Sequence, residues 1–274
     1  MIKNLLNVFG THTKALEALY IMEGLKPVAR LSVQEHELDA INSFCQKNSL
    51  SMETSDFRVA MLFQGAYSTA GQRLHLDSPH KGHFFVYLSR YERFAKDAKE
   101  AEADGNIPEF GRLLGYPDCC VKFFMHHRPD EIKAKNDYVI PAFMASDGYV
   151  FPFYNNIFGR YFDRVLLNHA PCSFGCRASA EIGRRNLKAV ARHDPKLAHQ
   201  TEALLKSAAI YTDNGIFLLP GSINENVFSY THTYSTRQNI LTRFLESNRE
   251  IVVKDKSLFV VGGEEMNVPL LVFQ

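Results

Sequence analysis

Four of the five cysteines in this chain fall in two tight groups. Cys119 and Cys120 are consecutive in "GYPDCC". Cys172 and Cys176 close the stretch "HAPCSFGC", which begins at His169 and reads H-x2-C-x3-C. Thiolates bind soft metals and attack electrophiles. Two paired groups far apart in sequence, brought together by the fold, are a common way to assemble a metal site. Both groups follow a proline, Pro117 in one and Pro171 in the other, and each is followed by a helix-like sequence. Proline suits the first helical position. On that reading Cys119, Cys120 and Cys172 sit in first turns, where the positive end of the helix dipole favours thiolate. Gly175 allows a different arrangement, with the second group in a loop and its helix starting later.

Zinc takes four cysteines, or three and a histidine, with C-x2-C-like spacing the common form. Successive side chains tend to diverge, so an adjacent pair fits one small ion poorly. Each member can instead bind a different iron of a [4Fe-4S] cluster, which takes four cysteine thiolates. The sequence therefore points to an iron–sulfur centre on Cys119, Cys120, Cys172 and Cys176. His169 is a fifth candidate ligand or a support for one. A structural zinc site and a metal-free thiol-redox or sulfur-carrying site are the alternatives. If the segment after Pro117 is helical, His126 and His127 lie seven residues beyond Cys119 and Cys120, about 10 Å along the axis. They cannot share one ion with the cysteines but could line a pocket. With His169 and Arg160 they are the catalytic candidates for a small-molecule or sulfur-transfer reaction; whether the chain is an enzyme stays open.

"GRLLGYPDCCVKFF" together with "HAPCSFGCRAS" resembles the signature of an uncharacterised family, a domain of unknown function seen in archaea and bacteria. Its pattern is G-Y-P-x-C-C followed by H-x-P-C-S-x-x-C. The match falls on Gly115, Tyr116, Pro117, Cys119 and Cys120, then His169, Pro171, Cys172, Ser173 and Cys176. It covers roughly residues 80 to 190. The resemblance implies no activity, only that these residues form one site.

The elements that must position these residues read as α+β. A mainly helical, cysteine-bearing middle with short strands precedes a small C-terminal antiparallel sheet. The 274 residues are read as one domain, with possible substructure at 1–205 and 206–274. "TKALEALYIMEGL" and "VQEHELDAINSFCQKNS" read as helices, with Cys45 a core residue of the second. "FRVAMLF" (57–63) and "HFFVYLSR" (83–90) read as strands, and "YERFAKDAKEAEADGN" as a charged helix ending at Gly105. In the tail, "GIFLLP", "NVFSYTHTYS", "EIVVKD", "SLFVVGG" and "PLLVFQ" read as strands, with a helix from Gln238 to Ser247. "VVKDKSLFVV" reads as a hairpin across Asp255 and Lys256. The aromatic stretch 138–162 is core, or the wall of a pocket with Asn155, Asn156 and Arg160 as its polar groups.

Lys plus Arg number 31 against 30 Asp plus Glu, so no charge excess favours nucleic acid. "RRNLKAVAR" is a basic helix face, read as solvated. His75, Asp77, His80 and His83 are ligand-rich but stand in a loop-like stretch. The N-terminus does not read as a signal peptide, and no window approaches a membrane span. The reading is a cytoplasmic chain with reduced thiols. No P-loop, dinucleotide-binding or serine-hydrolase motif is present.

Overall fold

The computed structural model describes residues 1–61, 71–133 and 138–274. The chain forms two compact units, Met1–Tyr138 and Val139–Gln274. The helices after the aromatic stretch, Arg177–His193 and Pro195–Leu205, fall in the same unit as the C-terminal strands.

In the first unit, α1 (Ile2–Phe9) and α2 (His12–Met22) precede β1 (Val28–Val33), α3 (Leu38–Lys47), β2 (Ser51–Met61), β3 (Gly71–Leu74) and β4 (His83–Ser89). The strands form an antiparallel sheet in the order β1-β4-β2-β3. The predicted strand at 57–63 starts earlier, at Ser51; Leu62 and Phe63 lie outside the described residues. Helix α2 was expected to show one apolar face. Instead every residue from Ala15 to Ile21 is buried, because the helix packs on α1, β1 and β4. Cys45 on α3 is 1% exposed, and burial pushes its thiol up to about 11.

The route to the first cysteine pair is set by three helices, α4 (Glu92–Ala103), α5 (Ile107–Leu113) and α6 (Asp118–Lys133). Val28, Tyr87, Ala98, Ala101, Leu113 and Leu114 form one buried cluster, which fixes α4 and α5 on the sheet. The Asn106 side chain caps α5 by accepting from the Glu109 N–H. The chain then reverses at Gly115, whose φ of +72° is a left-handed conformation that suits glycine. The Tyr116 N–H donates to the Gly111 carbonyl across that reversal, and Pro117 leads into α6.

In the second unit, α7 (Val139–Met144), β5 (Val150–Phe151) and two 3-10 turns (153–155 and 157–162) precede α8 (Arg177–His193) and α9 (Pro195–Leu205). The remaining elements are β6 (Ser207–Thr212), β7 (Gly215–Asn224), β8 (Val227–Tyr230), β9 (Tyr234–Ser235), α10 (Ile240–Ser247), β10 (Glu250–Val253), β11 (Leu258–Val261), β12 (Glu264–Asn267) and β13 (Leu270–Phe273). The predicted tail strands, helix and hairpin are all present. The sheet, however, is large and mixed. It has nine strands in the order β12-β11-β10-β8-β7-β6-β13-β5, with β9 beside β7. All pairs are antiparallel except β5 with β13. The enlargement has a simple cause: the 10-residue β7 is long enough to pair with β6 and β9 along one part and β8 along another.

Candidate metal centre

Cys119 and Cys120 are the second and third residues of α6. Pro117 is the cap, not the first helical residue; its carbonyl accepts from the N–H groups of Cys120 and Val121. The pair therefore sits in a first turn, as expected. Adjacent side chains were expected to diverge, yet the two sulfurs lie 3.9 Å apart.

Position of the pair depends on how closely α6 meets α5. A Cβ added at Gly111 would stand 2.5 Å from Val121 Cγ2. Only glycine lets the two helices approach this far, one residue from Cys120.

The second pair lies in a loop and not in a helical first turn. Cys172 precedes a turn in which the Cys176 N–H donates to the Ser173 carbonyl, 3.0 Å away. Cys176 is the N-cap of α8, and its carbonyl accepts from Ala180. The chain makes the turn at 173–176 before helical geometry begins at Arg177.

That loop is held from below. Phe174, fully buried between the two cysteines, stacks on Phe158 at 5.8 Å and meets Phe273 edge-on at 5.7 Å. Its N–H donates to Ser146 Oγ at 2.8 Å. The Asn155 amide donates to the Phe174 carbonyl at 2.9 Å and the Cys176 carbonyl at 3.0 Å. Asn155 is fully buried, so these bonds are formed without competing water. The aromatic stretch is thus largely core, and it shapes the loop that carries two thiols.

The ligand atoms of Cys119, Cys120, Cys172 and Cys176 all lie within 4.8 Å of one another. Four thiolates at this separation repel strongly unless a cation sits among them. The group can hold a metal ion, and it is the only such cluster of His, Cys, Asp or Glu found among the described residues.

The other candidates are placed as follows. His169 is 8% exposed, lies outside the four-sulfur group, and shares a 2.8 Å hydrogen bond between Nε2 and Ser179 Oγ. His126 is exposed on α6, and His127 packs its ring 4.4 Å from Phe123. Arg160 Nε donates to the Ile157 carbonyl. Asn156 donates to the Leu205 carbonyl and Ser207 Oγ, joining the 3-10 turn to β6. His75 pairs with Asp77 at an exposed site, without a cluster around it. Ser146 and Ser179 were not anticipated. Ser146 stands in the aromatic stretch and Ser179 at a helix start, and the burial of each shows only in the structure.

A scan against protein-family models found no match, and neither did searches of curated proteins or of solved structures. No helix among the described residues is long and apolar enough to cross a membrane.

Proposed function

We propose that this chain is a zinc protein in which Cys119, Cys120, Cys172 and Cys176 hold one ion as a tetrahedral set of thiolates. The spacing of the four sulfurs carries this reading. With a zinc–sulfur bond of about 2.3 Å, the edge of a regular tetrahedron is about 3.8 Å. The Cys119–Cys120 separation of 3.9 Å fits that edge, and 4.8 Å is the outer limit for the whole set. Thiolates on different irons of a [4Fe-4S] cube have the cube itself between them and stand roughly 6 Å apart. The set would have to open to take such a cluster, so the zinc alternative is favoured over the iron–sulfur one.

Bound zinc would cross-link two segments some fifty residues apart in sequence, tying the start of α6 to the loop before α8. Its binding free energy then adds to folding free energy. The resemblance to the family with the G-Y-P-x-C-C pattern agrees with one shared site and adds no activity. Purification without oxygen, followed by measurement of zinc, iron and sulfide, tests the reading. One zinc per chain and no sulfide are expected. Iron with matching sulfide would replace the reading with the cluster, and a stably folded chain without metal would refute both.

A further inference from the structure

A purely structural tetrathiolate site is closed. Here the enclosure is uneven. Cys120 is 3% exposed and Cys176 8%; Cys172 is half-buried, and Cys119 is exposed. Cys119 shares the solvent-facing side of α6 with Lys122 and His126, three and seven residues on, both exposed. One ligand of four is thus open to reagents while two are shielded.

A thiol bound to zinc is deprotonated outright, and the thiolate is the nucleophilic form of cysteine. Four thiolates and one divalent zinc leave a net charge of about −2 on the set, which keeps electron density on sulfur. We infer that Cys119 is a metal-activated nucleophile that takes an alkyl group from a small alkylating electrophile. The inference rests on the zinc reading above.

In this step the Cys119 Sγ lone pair attacks the electrophilic carbon. The sulfur–carbon bond forms as the bond from carbon to the leaving group breaks. The leaving group departs with its electron pair as an anion. Zinc stays divalent, and no electron or proton changes hands. The product is a neutral thioether, a poorer ligand than thiolate, so the net charge of the set goes from about −2 to about −1. Lys122 lies one turn from Cys119 on the same helix surface, where its ammonium favours the departing anion. Cys120 and Cys176 are screened from the reagent and keep hold of the metal. Cys45, buried on α3 with no metal set around it, supplies an unreactive control within the chain.

The test is to treat the zinc-loaded chain at neutral pH with iodoacetamide and map adducts by peptide mass spectrometry. Zinc is quantified in parallel. Expected is a single early adduct on Cys119, formed at least about tenfold faster than on any other cysteine, with zinc still bound. In the same chain stripped of zinc, Cys119 should label at least about tenfold more slowly, because the metal no longer holds it as thiolate; an unchanged rate overturns the inference. Equal labelling of the set, or protection of Cys119 while zinc is present, overturns the inference and leaves the zinc reading standing. Absence of zinc from the folded chain overturns both. The measurement uses the unaltered chain, so no variant has to fold.

Discussion

Cys119 Sγ and Cys120 Sγ lie 3.9 Å apart although their residues are consecutive. Both belong to the first turn of α6, and that convergence turns a neighbouring pair into one edge of a possible coordination tetrahedron.

Removing one thiolate should separate ligands from the core cysteine. Cys120→Ser should weaken zinc binding by more than about 100-fold, beyond the loss typical of a supporting residue. Cys45→Ser should retain full zinc content and instead destabilise the fold by about 1–3 kcal/mol, through burial of an unpaired hydroxyl. Zinc titration of both variants beside chemical denaturation checks the pair.

Asn155 should matter to the metal although it does not touch it. Asn155→Ala leaves the buried Phe174 and Cys176 carbonyls without their donor. Zinc affinity should fall about 10–100-fold. Asn156→Ala is the contrast: it breaks bonds to Leu205 and Ser207 and should lower stability while leaving the affinity of the folded chain unchanged. Competition with a zinc-binding indicator reads both.

Packing of α5 on α6 should resist a single added methyl group. Gly111→Ala gains roughly 1 kcal/mol of helix propensity. Its Cβ meets Val121 Cγ2 at 2.5 Å, however, and valine is stiff at χ1. Overpacking costs about 1–3 kcal/mol and should win. Gly111→Ala with Val121→Ala should recover part of the loss, a coupling readable in a double-mutant cycle by urea unfolding.

How much of this was legible in the sequence depends on how local the cause is. Helices α3 and α4 and the tail strands follow from periodicity and from stops such as Gly105. The four clustered cysteines stand out by type alone. Strand β1 went unread because "VARLSV" is short and carries a charge at Arg30. The Cys172 position was misjudged since proline before a thiol looks alike in a cap and in a loop; only the turn at Ser173 to Cys176 distinguishes them. Bonds from Asn155 and Ser146 to the cysteine loop span 19 to 28 residues. Contacts at that range leave no pattern in a window of sequence.

Alkaline pH should weaken the fold through Cys45. Its thiol stands at about 11 in the folded chain against an ordinary 9.0. Stability from this group is fully present below about pH 9. As pH rises toward 11 the unfolded chain loses the proton first, and about 2–3 kcal/mol is lost. The difference in unfolding free energy between wild type and Cys45→Ala, followed from pH 8 to about 11, should shrink by that amount. A constant difference would show that Cys45 does not keep its proton in the fold.

X-ray absorption at the zinc edge of the anaerobically purified chain tests the central claim most directly. The prediction is one zinc with four sulfur neighbours at about 2.3 Å and no nitrogen or oxygen in the shell. A shell with fewer sulfurs, or a chain whose metal is iron with sulfide bridges, would contradict it.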